Sequence, residues 1–205
     1  MKNKKIGFLG GTFDPIHLGH LNLAVELQEK NHLDEVWFVP AQVNPHKQDV
    51  ESMPAQQRLE MVKLAISPYK NFYATDIELK RPPPSYTIDT VKAFMQEFPK
   101  DEFFLLLGED AIPKLEKWHK IEELIEVVSL LIGSRSGEWI KPENQAIKQA
   151  IEKGMTTLPL FDVSATQIRN RLLIRLACDH LVPANVLDYI QKHHCYGVME
   201  RPAKG

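Results

Sequence analysis

Short apolar runs alternate with amphipathic stretches along this whole chain, and that alternation limits the folds open to it. Runs at 5–9, 35–40, 72–78, 103–108, 128–133 and 156–160 read as strands. Around them, residues 20–30, 55–67, 87–98, 121–127, 143–153, 165–176 and 184–194 repeat apolar positions at helical spacing. Strands that are apolar on both faces and separated by helices imply a parallel sheet covered on each side. Sheets of this kind bind ligands beyond the carboxyl ends of their strands.

The expected architecture is therefore α/β, a Rossmann-like doubly wound parallel sheet with a small C-terminal helical part from about residue 162. At 205 residues the chain suffices for one such domain, 1–205, and no flexible linker marks a second. A net charge of −2 argues against a broad nucleic-acid surface but leaves room for a local anion pocket. Cys178 and Cys195 stand in no metal or redox spacing, and no signal peptide is apparent, which points to a reducing cytoplasm. The longest apolar runs, 103–107 and 127–132, are too short to span a bilayer, so no membrane partner is expected.

The first apolar run leads into Gly10-Gly11-Thr12-Phe13-Asp14-Pro15-Ile16-His17-Leu18-Gly19-His20, and then into an amphipathic stretch. That order is strand, glycine-bearing loop, helix. Glycines let a backbone approach a phosphate closely, and N–H groups at a helix start attract anions. Two histidines three residues apart share one side of the opening turn. A loop built this way can hold a polyphosphate and offer it two imidazole donors. The spacing does not fit Gly-x-Gly-x-x-Gly, and the second strand runs into Pro40 rather than an acidic residue, so a redox dinucleotide site is rejected.

Further along, Ser164 is placed to cap a helix, with Thr166 and Arg169 in its first turns. Such a helix start, with an arginine fork about one turn inside, forms a second anion cradle. His46 and Lys47 add positive charge in a polar loop, and three consecutive prolines precede Ser85-Tyr86-Thr87 in another. A zinc site from His17, His20 and His46 is geometrically conceivable, but no metal-binding residues are assigned. Asp14 and Asp89 receive no role beyond capping or loop bracing.

The run 10–20 resembles the phosphate-binding signature of the nucleotidyltransferase superfamily, in which a His-x-Gly-His element grips ATP. Val163-Ser164-Ala165-Thr166-Gln167-Ile168-Arg169 resembles that superfamily's second motif. More of the chain is similar to one branch, the bacterial nicotinate-nucleotide adenylyltransferases. The matching pieces include Pro45-His46-Lys47, Arg58 with Met61, Ser85-Tyr86-Thr87-Ile88-Asp89-Thr90, Leu107-Gly108-Glu109-Asp110, Trp118, and Leu181-Val182-Pro183 with Tyr189-Ile190.

The resemblance implies transfer of the adenylyl group of ATP to nicotinate mononucleotide, giving the dinucleotide and pyrophosphate in NAD biosynthesis. It assigns ATP to Gly10, Gly11, Thr12, Phe13, His17, His20, Gly108, Asp110, Ser164, Thr166 and Arg169. Of these, His17, His20 and Arg169 would be catalytic. The mononucleotide falls to Thr12, His46, Lys47, Thr87, Trp118 and Arg135. Magnesium would enter held mainly by the ATP phosphates. The amidated mononucleotide or phosphopantetheine as acceptor, a non-catalytic nucleotide sensor, and a homo-oligomeric assembly stay open alternatives. Three stretches depart from the branch: 132–137 lacks an Arg-Pro-Gly run, His119 replaces an aromatic residue, and 172–178 is unusually apolar.

Overall fold

Strands β1 (Lys5–Gly11), β2 (Glu35–Pro40), β3 (Phe72–Ala74), β4 (Glu102–Gly108), β5 (Ser129–Ser134) and β6 (Met155–Thr157) form one parallel sheet in the computed structural model. Their order across the sheet is β3-β2-β1-β4-β5-β6. The structure describes residues 3–43 and 52–198. Helices α1 (Leu18–Asn31), α2 (Ala55–Ile66), α3 (Thr87–Glu97), α4 (Ile112–Leu115), α5 (Ile121–Val127), α6 (Gln145–Gly154), α7 (Ala165–Leu173) and α8 (Ala184–Lys192) complete the described elements.

Side chains alternate across each strand, so one strand feeds two cores. Ile6, Phe8, Leu105, Leu107, Leu130 and Ile132 point to the face covered by α3, α5 and α6. Leu9, Leu106 and Leu131 point to the other, where α1, α2, α7 and α8 supply Leu27, Met61, Ile168 and Ile190. The chain therefore leaves β1 toward one face and β4 toward the other. Between these adjacent strands lies the switch point, and the crevice at their carboxyl ends is the topology's natural ligand site. The doubly wound architecture expected from the sequence is the one observed.

Several boundaries differ from expectation. The strand expected at 72–78 stops at Ala74. Thr75 N–H still reaches Phe38 O at 3.0 Å, but the Asp76 carbonyl then accepts the amides of Leu79 and Lys80 at 2.9 and 3.2 Å, which turns the chain. The strand expected at 156–160 is shorter and begins one residue earlier. The helix expected to reach residue 176 ends at Leu173, because Arg175 adopts a left-handed φ of 58° and the Arg171 guanidinium closes onto Ala177 O at 2.8 and 3.0 Å. Helix α4 and the tight turns Glu109–Ala111 and Cys195–Gly197 are too short to leave a periodic signature. Among the described residues, no helix is long and apolar enough to cross a membrane.

Helix α6 lies so close to β5 that a Cβ on Gly154 would stand 2.1 Å from the Leu130 carbonyl oxygen. Gly154→Ala should therefore lower stability by about 1–3 kcal/mol through overpacking. The denaturant midpoint should fall with an unchanged slope; an unchanged midpoint would mean that α6 can withdraw from the strand at no cost.

Candidate active site

The carboxyl end of β1 carries Gly10 and Gly11, in register with Val39 and Pro40 of β2. A Cβ on Gly10 would meet nothing within 4 Å, so this backbone is open to an approaching ligand. The chain then turns sharply. Phe13 sits at φ 50°, a conformation that bulky residues seldom adopt. Its ring, 2% exposed, packs edge-on against His20 at 5.0 Å and tilts against Phe38 at 5.9 Å. The Phe13 ring thus props up His20.

One buried side chain fixes the loop. Arg58 of α2 is 1% exposed, and its guanidinium donates to Thr12 O at 2.5 Å, Ala41 O at 2.7 Å, Gln42 O at 3.3 Å and Met53 O at 2.9 Å. Desolvation pulls its pKa down from the arginine value, and Asp14 opposes that pull. Read by itself, the sequence offered Arg58 only as a matching residue on a helix. Its reach to three separate chain segments has no local signature.

His17 caps α1 with extended backbone, and His20 lies in the first turn. Their rings stack with centroids 3.7 Å apart. The His17 amide donates to His20 Nδ1 at 3.3 Å. An accepting Nδ1 places the proton of a neutral imidazole on Nε2, which makes Nε2–H the donor of His20. Burial pushes the His17 pKa down to about 4. The pair therefore does not carry two adjacent charges near neutrality. The fit is close at Gly19, where a Cβ would stand 3.1 Å from the His17 ring.

The helix-start reading of this loop needs one correction. The Leu18 amide, at the first position of α1, is taken by Leu181 O at 2.9 Å, and the His17 amide by the His20 ring. These two donors serve the fold and are not open to a ligand. At α7 the expected cap is present. Ser164 caps the helix by accepting Gln167 N–H at 3.2 Å. Arg169 is drawn back to the first motif, donating through Nη1 to Asp14 O at 2.6 Å and through Nη2 to Thr166 Oγ1 at 3.3 Å. The two phosphate motifs, far apart in sequence, thus touch directly.

Opposite the glycines, Gly108 ends β4 and Asp110 is exposed in the turn that follows. Arg135, expected at the mononucleotide, is not among the residues lining the pocket beside Gly10 and is instead held by two carboxylates. Glu109 accepts its Nε at 2.9 Å and its amide at 3.1 Å, Asp162 pairs with its Nη1 at 2.8 Å, and Ser134 Oγ donates to Glu109 at 2.5 Å. Burial would raise the Glu109 pKa, but the Ser134 and Arg135 bonds outweigh it and hold the carboxyl below its ordinary range. Sequence reasoning missed Glu109 as the residue that orients Arg135.

A pocket beside Gly10 is walled by Glu78, Tyr86, Thr87, Trp118 and His119. It brings together Thr87, at the start of α3, and Trp118, which follows α4, as the sequence reading requires. His119 keeps the aromatic function of the position it fills, stacking on Tyr86 at 4.2 Å. Glu78 was not foreseen in this wall. It accepts Thr90 Oγ1 at 2.6 Å with Arg81 4.0 Å away, and burial raises its pKa despite those partners. His46 and Lys47 lie outside the described residues. A second groove, lined by Lys4, Glu35, Trp37 and Tyr73, lies away from the glycines.

The cytidylyltransferase-like family model matches residues 8–171. Nicotinate-nucleotide adenylyltransferase of Bacillus subtilis is 38% identical over 193 residues, covering 94% of this chain and 98% of the relative. A probable nicotinate-nucleotide adenylyltransferase of Bacillus pumilus is 39% identical over the same length and the same shares. Among solved structures, Plasmodium falciparum nicotinic acid mononucleotide adenylyltransferase complexed with NaAD superposes with a TM-score of 0.79 at 21% identity, covering 96% of this chain and 99% of that one. This last likeness is one of fold.

The buried His17 makes stability pH-dependent. Its folded pKa of about 4 lies below the ordinary 6.5, so the unfolded chain binds the extra proton between these values. The His17 contribution is present above pH 6.5 and is lost as pH falls toward 4, amounting to roughly 3 kcal/mol. Chemical denaturation across that window should show His17→Gln with a flatter pH dependence than the parent chain. Parallel curves would rule out this linkage.

Proposed function

The chain belongs to the cytidylyltransferase-like family and, within it, to the nicotinate-nucleotide adenylyltransferases, and on that footing we propose how its own residues carry out the transfer of an adenylyl group from ATP to nicotinate mononucleotide. It is a nucleotidyltransferase of NAD biosynthesis. The observation that carries the assignment of residues is the convergence of the stacked His17–His20 pair, the open backbone at Gly10, and Arg169 on one end of the sheet.

The reaction needs no nucleophilic side chain. A phosphate oxygen of the mononucleotide attacks the α-phosphorus of ATP, its bond forms as the α–β bridging P–O bond breaks, and the bridging electron pair leaves with pyrophosphate. Catalysis is then alignment plus neutralisation of charge that builds on the α-phosphate and the leaving group. His20, donating through Nε2–H, serves the α-phosphate. His17 is held neutral by burial and fixes the His20 ring through stacking and its backbone amide. Arg169, with the capped start of α7, serves the β and γ phosphates that become pyrophosphate.

Gly10, Gly11 and Thr12 supply close backbone to the nucleotide, and Gly108 and Asp110 face its ribose. Thr87 and Trp118 bound the pyridine pocket, where an indole face suits an electron-poor ring. Arg135, braced by Glu109, lies outside the lining of that pocket. Magnesium fits as the counterion of the triphosphate rather than as a resident of the protein. Among the described residues no group of three His, Cys, Asp or Glu gathers to hold it, and the Asp14 carboxylate is directed at Tyr196 and Met53. When bound, the ion would neutralise phosphate charge.

Loss of the His20 donor should cost a large factor in transfer with little change in folding. His20→Ala is expected to lower kcat/KM by about 10²–10³, as measured by pyrophosphate release with ATP, Mg²⁺ and nicotinate mononucleotide. Near-normal turnover in that variant would remove His20 from the reaction. The parent chain should also favour the acid over the amide mononucleotide in kcat/KM, and equal values would overturn the acceptor assignment.

A further inference from the structure

Asp14 sits inside the first phosphate motif, 5% exposed, and the reaction described above gives it nothing to do. Its surroundings are unusually directed. Oδ1 accepts the Tyr196 hydroxyl at 2.7 Å and the Met53 amide at 3.3 Å, while Oδ2 stands 3.9 Å from Arg169 Nη1. The Asp14 carbonyl accepts that same nitrogen at 2.6 Å. One residue of the first motif therefore grips the arginine of the second by both its backbone and its carboxylate.

Tyr196 comes from the far end of the described chain, 182 residues away. It adopts φ 59°, and His194 two residues before it adopts φ 50°. Each left-handed residue of this kind costs roughly 1–2 kcal/mol. Strain of that kind persists where surrounding structure imposes it, and it gathers at functional sites. Here it delivers a buried phenol to Asp14. Burial and the adjacent carboxylate push the Tyr196 hydroxyl well above its ordinary pKa, so it remains a proton donor. The Cys195 thiol, next to Tyr196, is also pushed up by burial and by the Asp14 carboxylate.

We propose that Asp14 and Tyr196 are positioning residues that hold the Arg169 guanidinium in the orientation required by the departing pyrophosphate. Tyr196 pins one carboxylate oxygen, which leaves the other turned toward Arg169. The carboxylate also lies within the field of Arg58, so a single anion is shared between two guanidinium groups. The C-terminal turn thereby becomes part of ATP recognition, although it contains no phosphate-binding motif.

This inference rests on the assignment of Arg169 to the triphosphate, and steady-state kinetics on the full chain separate the two. Arg169→Ala by itself should raise the KM for ATP by about tenfold or more, and an unchanged KM would overturn the assignment. Tyr196→Phe removes one hydroxyl and should raise the KM for ATP by about three- to tenfold, with the KM for the mononucleotide moving less than about twofold. Placed in the Arg169→Ala background, Tyr196→Phe should add less than about twofold, the non-additivity of residues acting through one group.

A merely structural role predicts the opposite pattern. If Tyr196→Phe costs the same in both backgrounds while Arg169→Ala is defective, the positioning role is wrong and the Arg169 assignment stands. A rise in both Michaelis constants together, with a lowered Tm, also overturns it. Asp14→Asn keeps the acceptor for Tyr196 but removes the charge facing Arg169, and it should reproduce the selective rise for ATP. Should that variant not fold, the Tyr196→Phe cycle decides alone.

Discussion

The guanidinium of Arg58, buried under the end of the sheet, ties together three stretches of chain that sequence keeps apart. It donates to Thr12 in the phosphate loop, to Ala41 and Gln42 beyond β2, and to Met53 ahead of α2. Each of these carbonyls, buried without a donor, would cost roughly 1–3 kcal/mol. A buried cation is itself expensive unless its hydrogen-bonding capacity is filled and an anion lies near. Here the carbonyls fill it, and Asp14 supplies the negative field. The loop can therefore hold Phe13 at a positive φ, and Phe13 in turn supports the ring of His20.

From that anchor the reactive groups follow by short steps. His20 is fixed by a ring below, a ring alongside and an amide on Nδ1. His17 is kept neutral by desolvation, which prevents two imidazolium charges from stacking at 3.7 Å. The second motif is tied to the first through Asp14 and Arg169 rather than merely lying near it. Such fixed groups suit a reaction in which the substrate phosphate is the nucleophile and the protein supplies alignment and charge.

The acceptor side is built by different means. Glu78 enters the pocket wall because β3 ends early at Ala74 and the chain turns at Asp76. Arg81 and Thr90 then surround its carboxylate, binding the turn to α3 just below Thr87. The length of an edge strand thus determines the composition of the pocket beside Gly10.

Sequence by itself determined the alternation of the six strands with the longer helices, the two covered faces of the sheet, and the two glycine–histidine and serine–arginine motifs. These depend on periodicity and on short-range chemistry: apolar residues alternate every second position in strands, and a glycine, histidine or helix-capping serine acts within a few residues. The spacing of three put His17 and His20 on one side of the opening turn, but the stacking of their rings depends on the extended backbone of His17 at the cap. Only the tertiary structure decided what holds these pieces in place. Arg58, Asp14, Tyr196 and Glu109 act across separations of up to 182 residues, and no local pattern encodes such a contact. It also decided that α1 uses its Leu18 amide on Leu181 rather than on a ligand, since that choice depends on where a distant carbonyl comes to rest. The reacting groups are local features of the chain; their orientation is a property of the packed fold.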